Sequence, residues 1–216
     1  MSTRERILDA AEALVHEHGF AATSVDAVLA AAPASKGAFF HHFPSKAHLG
    51  RALVERYARA DAQVLERFMA AAERESDDPA EQVVAFVRLF EEAADGIAAE
   101  QPGCLFVSFL YERGEAGRET RDVIAASVEL WRSRLLVKLR MAARFRPPVV
   151  GVDLESLADQ VFTTFEGAFI LARATGDPGR LRAQFAHLRT YLALVFDVPA
   201  VPSKRSLDGG SAVGAP

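Results

Sequence analysis

A single cysteine, Cys104, stands among 216 residues. That scarcity excludes a disulfide framework and any zinc site built on cysteine, and it fits a reducing compartment. No stretch approaches the ~20 consecutive apolar residues that a membrane helix needs. The opening residues, MSTRERILDAAEALV, are charged and hold no apolar signal core. The expectation is a soluble, cytoplasmic protein with no membrane partner. Enzyme signatures are missing as well: there is no G-x-S-x-G, no phosphate loop of the Walker kind and no G-x-G-x-x-G. His16 and His18 fall on different helix faces, and the adjacent His41 and His42 meet the same objection, so neither pair chelates a metal. No catalytic residue, metal or cofactor is expected. Alternating strand patterns are absent, because Val149–Val152 is short and preceded by proline.

Acidic residues are missing from one place in particular. Between Asp26 and Glu55 there is none, while that window holds Lys36, Lys46, Arg51, His41, His42 and His48. The net charge of the chain is -4, and residues 73–100 carry nine acids against two arginines. A basic patch on an acidic protein hints at an anionic partner, although a charge-biased window also describes any solvated face.

What is present is ordinary globular material, half apolar and a quarter charged. The length is ~1.4 times the usual 150 residues per domain, so one large or two small domains fit, with ample room for a core. Apolar spacing is helical nearly throughout. Ile7, Ala11, Leu14 and Val15 form one stripe, stopped by Gly19. Ser24 caps a short helix that Pro33 breaks, and Ser35 caps a very short one that Pro44 ends. A helix from Ser45 reaches about residue 75. Asp78-Pro79 opens the next, which Gly96 and then Pro102-Gly103 punctuate. Further helices are expected over 104–112, 118–145, 153–175 (closed by Gly176) and from Asp177-Pro178 to Phe196. The tail from Pro199 onward is rich in Pro, Gly and Ser and is expected to be disordered. The fold class is all-α.

Two short helices about four residues apart outline a helix-turn-helix between Ser24 and Phe43. Its second helix must be thin enough for a major groove ~12 Å wide. Ser35, Gly37 and Ala38 meet that need, Lys36 supplies charge, and Phe39 and Phe43 anchor the helix inward. Spacing alone fits equally well a small Phe-rich helical subdomain with a polar surface.

The run TRERILDAAEALVHEHGFAATSVDAVLAAAPASKGAFFHHFPSKAHL resembles the DNA-binding domain of TetR/AcrR-family bacterial transcriptional regulators. The likeness rests on Ile-Leu-Asp-Ala-Ala, Gly19-Phe20, Thr23-Ser24-Val25, Ser35-Lys36-Gly37 and His42-Phe43-Pro44-Ser45-Lys46. It implies an N-terminal three-helix helix-turn-helix domain (1–48) and a C-terminal helical ligand-binding and dimerisation domain (49–198), followed by a tail (199–216). It also implies a homodimeric regulator, in repressor form, that leaves a palindromic double-stranded operator when a small-molecule inducer binds. DNA contacts would then fall on Thr23 or Ser24, Ser35, Lys36, Gly37, Ala38, Phe40, His41 and Lys46. Three departures stand out. Pro33-Ala34 occupies a turn where relatives usually have Gly-Val, and Ala38 and Phe40 replace the Thr and Tyr of the usual recognition helix. Proline restricts the turn, and the other two changes delete hydroxyls able to bond DNA.

Ligand-binding residues are expected among Phe86, Phe90, Cys104, Phe106, Phe109, Trp131, Phe162, Phe165 and Phe169, which equally describe a core. Pro102-Gly103-Cys104-Leu105 and the stretch from Glu166 to Pro178 resemble a subgroup of these regulators in which some members sense electrophiles or oxidants through a cysteine. Cys104 as a sensor is therefore one alternative, and as an inert small hydrophobe another. A helical dimer that binds ligand but has lost DNA binding is a third. Stripes of Leu157, Val161, Phe165 and Ala168, then Leu181, Phe185, Leu188 and Leu192, suggest a four-helix dimer interface with Gly167 and Ala168 allowing close approach. Arg132, Arg134, Lys138, Arg140, Arg144 and Arg146 suggest either a second nucleic-acid surface or an exposed helix face.

Overall fold

A computed structural model describes residues 1–100, 103–110 and 117–199. Among the described residues there are nine helices and no strand: α1 (Thr3–His18), α2 (Val25–Ala31), α3 (Lys36–His42), α4 (Lys46–Glu75), α5 (Pro79–Glu100), α6 (Leu105–Leu110), α7 (Arg118–Phe145), α8 (Leu154–Thr175) and α9 (Gly179–Phe196). Caps set most starts. Ser2, Ser24, Ser35 and Asp153 each accept a hydrogen bond from the backbone N–H three residues on, satisfying a donor that the first turn leaves free. Gly96 does not end α5, which continues to Glu100; a Cβ there would meet nothing, so that glycine marks an open face rather than a stop. The disordered tail expected over 199–216 lies, from residue 200 on, outside the described residues.

The chain divides into two compact units, one of residues 1–63 and 103–129, the other of 64–102 and 130–216. This division differs from a cut at residue 48, because α6 packs with the N-terminal helices. Leu105, Phe106 and Phe109 join Ile7, Leu8, Val15, Phe20, Val28, Phe39, Phe43 and Leu53 in one buried core. The Phe20 and Phe109 rings lie 4.6 Å apart, and Phe106 meets Tyr57 edge-on at 4.9 Å. Gly50 permits the approach: a Cβ there would stand 2.5 and 2.8 Å from Phe20 ring carbons and 3.2 Å from Phe109. Arg56 fastens α4 to α1 through Asp9 at 2.6 Å and through Glu12. Burial lowers its tendency to hold a proton, but those two carboxylates more than restore it.

In the second unit α9 packs on α5 and on α8. The rings of Phe68, Phe86, Phe90, Trp131, Phe165 and Phe185 form a continuous cluster, with neighbouring centroids 4.0–6.3 Å apart. Within this core a buried ion pair joins Glu91 of α5 to Arg189 of α9 at 2.7 Å.

One sequence expectation is corrected here, and one open alternative is narrowed. The stripes assigned to a partner turn inward: Leu157, Val161, Phe165, Ala168, Leu181, Phe185, Leu188 and Leu192 are all buried in this chain's own core. A helical stripe marks a buried face without saying what buries it, and α5 supplies that cover. The outer faces of α8 and α9 instead present Gln160, Thr163, Gly167, Ile170, His187, Thr190, Tyr191 and Leu194. Five of the six basic residues from Arg132 to Arg146 are also paired, which favours an ordinary helix face over a second nucleic-acid surface. Arg132 and Arg140 pair with Asp159 and Glu155 of α8, Arg134 and Lys138 with Glu66 and Glu73 of α4, and Arg146 with Asp78.

Candidate nucleic-acid interface

In a helix positions i and i+4 share a face, so Phe39 and Phe43 point one way while the pairs Lys36–Phe40 and Gly37–His41 run along the rest of the surface. In α3 the inward positions are Phe39, fully buried, and its cap residue Phe43, with rings 5.7 Å apart. The outward positions are Lys36, Gly37, Phe40 and His41, all exposed. Phe40 is 46% exposed, and its ring stands edge-on against Phe39 at 5.2 Å. A phenyl ring left this open has no core reason to be there. Gly37 keeps the face thin, since the nearest atom to a Cβ there would be the Ser35 hydroxyl at 4.0 Å. Ala38 is half-buried beside this face.

The remaining expected contacts are placed differently. Thr23 is buried; its hydroxyl donates to the Gly19 carbonyl at 2.8 Å, so it closes the loop after α1 and offers DNA nothing. Ser24 and Ser35 are exposed but accept from Ala27 and Ala38 N–H at 3.1 and 3.2 Å. Their capping leaves the hydroxyl protons to point outward. Lys46 donates to the Ala21 carbonyl at 2.8 Å and lies over the Phe20 ring at 4.9 Å. It staples the start of α4 to the loop before α2. Arg51, the third cation of the acid-free window, is turned to Glu55 at 2.8 Å and to Glu119. The hydrogen bond to Glu55 and the charge of Glu119 hold its proton more firmly than usual. His48 shares a 2.8 Å hydrogen bond with the Ser45 hydroxyl. The open face is therefore carried by the charge of Lys36 and the exposed ring of His41, with Lys46 at its margin. Periodicity found these positions; the loop bond of Thr23 had no counterpart in a helical pattern.

The nine residues expected to bind ligand belong to two cores. Phe86, Phe90, Trp131 and Phe165 lie in the aromatic cluster, with Phe162 and Phe169 packed against it. Cys104, Phe106 and Phe109 belong to the other unit, where Cys104 is half-buried at the start of α6. Phe68, Phe185 and the Glu91–Arg189 pair complete the aromatic core of the second unit and were not among the expected residues. A cavity of about 10 Å³ beside Phe86, bordered by Met69, Val83, Leu135 and Lys138, has room for one water at most. No helix among the described residues is long and apolar enough to cross a membrane.

Residues 7–53 match the family described as bacterial regulatory proteins, tetR family, and residues 79–188 match the tetracyclin repressor-like C-terminal domain. The transcriptional regulator AcuR of Cereibacter sphaeroides is 29% identical over 170 residues, spanning 77% of this chain and 74% of that protein. Among solved structures, the regulatory protein TetR from Rhodobacter sphaeroides matches with a TM-score of 0.73 at 25% identity, covering 88% of this chain and 99% of that one. A TetR transcriptional regulator from Chloroflexus aurantiacus matches at 0.69 and 27% identity, covering 88% and 94%. The α3 face thus has the setting its shape calls for: the chain belongs to the TetR family of bacterial regulatory proteins and is a DNA-binding transcriptional regulator rather than an enzyme.

Proposed function

We propose that this protein is a homodimeric cytoplasmic repressor whose residues 1–48 hold a palindromic operator and whose residues 49–198 bind a small apolar inducer and dimerise. The observation that carries the reading is the outward face of α3. Lys36, Gly37, Phe40 and His41 are exposed together in a window with no acidic residue. Such a helix enters a major groove, with its cation toward guanine or phosphate.

Support for a dimer comes from the outer faces of α8 and α9. From Ala183 to Leu194 α9 exposes no Asp, Glu, Lys or Arg side chain, and Leu194 is 68% exposed. A groove of about 560 Å³ between the two helices, bordered by Gln160, Thr164, His187 and Tyr191, offers a partner's ridge a place to pack. Support for an apolar inducer comes from the aromatic cluster, which is large and whose buried ion pair, Glu91–Arg189, is internally compensated. A ligand would act by favouring a conformation in which these rings part.

The test is a titration of duplex DNA from upstream of the protein's own coding sequence, with a scrambled duplex as control, at several salt concentrations. Lys36→Ala is expected to weaken binding and to reduce the slope of log K against log[salt] by ~0.9 for one lost phosphate contact. If it contacts a base instead, the preference for the upstream duplex over the scrambled one shrinks. A variant indistinguishable from wild type in both respects would sink the reading of α3.

A further inference from the structure

Resting on the DNA-binding reading of α3, we infer that Arg4, outside the helix-turn-helix, is a phosphate-contacting residue which the ring of Phe43 holds at the far end of the recognition helix. Phe43 is the residue that caps α3, and it is buried. The guanidinium of Arg4 lies over its ring, 5.6 Å from the centroid. One edge of that ring faces His42, whose own ring stacks edge-on against His41 at 4.9 Å. Arg4 therefore belongs spatially to the C-terminal end of α3, although 39 residues separate it from Phe43 in the chain.

The dimensions give this placement its meaning. A seven-residue helix is about 10 Å long, and its N-terminal residues are the ones that meet base edges in a major groove. Lys36 stands at that end of the helix. A cation fixed at the other end stands where the helix leaves the groove and the sugar-phosphate backbone runs.

The charge of Arg4 is available for this. Its carboxylate neighbour is Glu5, at 3.2 Å across an adjacent, half-exposed pair, an arrangement that contributes little in water. Glu5 is shared with Arg56 at 3.5 Å, so its charge is already partly answered from α4. The Arg4 side chain remains 41% exposed. Arginine suits the position better than lysine: a planar guanidinium can lie on an aromatic face while its edge forks toward an anion. Stacking on Phe43 also restrains a long side chain before DNA arrives, which reduces the ordering cost of the contact.

The experiment is the salt titration already described, run on the full-length protein with Arg4→Ala and Arg4→Lys. Arg4→Ala is expected to reduce the slope by ~0.9 and to weaken both the upstream and the scrambled duplex, about three- to tenfold, because phosphate contacts set register without reading sequence. Arg4→Lys keeps the charge and hence the slope, with an affinity between the two. The melting temperature of Arg4→Ala should stay within about 2 °C of wild type, as for other half-exposed surface changes. A lowered melting temperature with an unchanged slope would show that Arg4 merely fastens α1 to α3. That result overturns the inference and leaves the DNA-binding reading intact. Wild-type protein that shows no salt-steep DNA binding at all would overturn both.

Discussion

Replacing Pro33 by glycine should stabilise the protein, and the turn after α2 shows why. The N–H of Ala34 reaches back to the Leu29 carbonyl at 3.2 Å, and that of Ala32 to Val28 at 2.9 Å. The first of these is the six-to-one bond of a helix-ending motif whose penultimate residue adopts a left-handed conformation, normally glycine. Here that residue is Pro33, with φ at 26°, while its ring favours about -65°. Holding a residue other than glycine in this region costs about 1–3 kcal/mol. The companion bond of the motif, from residue 33 N–H to the Ala30 carbonyl, cannot form for want of a proton, forfeiting about 0.5–1.5 kcal/mol. Against these gains, glycine frees the unfolded chain by about 1–2 kcal/mol, since both the ring and the side chain are lost. Pro33 is exposed, so no packing is sacrificed. The net expectation is about 1–2 kcal/mol of stabilisation, or about 2–8 °C in the thermal midpoint for a chain of this size. Pro33→Ala separates the two causes. It restores the N–H but keeps a Cβ in the left-handed region, so its gain should be smaller than that of glycine. Thermal melts followed by circular dichroism, with amide exchange at residues 33 and 34, read the outcome. A Pro33→Gly protein melting at or below wild type, or Pro33→Ala melting above Pro33→Gly, would refute the account of this turn.

Other expectations follow from sites already described. Gly50→Ala should destabilise by about 1–2 kcal/mol despite the better helix propensity of alanine, because its methyl must displace the buried Phe20 ring; Phe20→Leu in the same chain should recover part of the loss in a denaturant titration. Phe40→Tyr places a hydroxyl on the exposed edge of α3 and should tighten DNA about 3–30-fold without altering preference among sequences; unchanged affinity on every duplex would mean that Phe40 faces no phosphate. Asp78 is buried, which alone would raise its pKa, but the hydrogen bond from Arg146 and the N–H of Ala80 hold it below the usual carboxylate range. Its stabilising contribution is thus complete above the ordinary value near ~3.9 and is lost as pH falls through the depressed one. Asp78→Asn should lower stability at neutral pH by about 1 kcal/mol and flatten the acid limb of a pH-stability curve; identical acid limbs would remove this pair from the account. Cys104→Ser should respond to an apolar inducer as wild type does, since Cys104 packs half-buried against an apolar core as a small hydrophobe; a response to electrophile or peroxide that vanishes in the variant would reverse that expectation.

Most of the architecture was legible before any coordinates, for identifiable reasons. Ser24, Ser35 and Asp153 are caps wherever they precede an apolar stripe, and Gly19 and Gly176 take positive φ where a helix must stop. The outward face of α3 was legible because Phe39 and Phe43 had only one way to point. What could not be read were choices between equivalent partners. Leu188 and Leu192 had to be buried, but periodicity is silent on whether a neighbouring helix or a second copy does the burying. Arg134 and Arg140 formed a basic run only along the chain; their acids, Glu66 and Glu155, arrive from other helices. Thr23 matched the family pattern by type, while its hydrogen bond to Gly19 depends on a loop whose geometry no stripe encodes.

The first core is assembled from two stretches of chain, residues 1–63 and 103–129. On the ribosome these emerge in order, so α1–α3 leave the tunnel well before Leu105, Phe106 and Phe109 exist to cover Phe20. A nascent chain halted at residue 63 would show an incomplete apolar surface around Phe20 and Tyr57, a state prone to unwanted association. Closure waits on a contact across 89 residues, Phe20 to Phe109, and long-range contacts of this kind slow folding. The fragment that reads DNA is therefore expected to gain its full cooperativity only after α6 and the first turns of α7 have been synthesised, later than its place at the start of the chain would suggest.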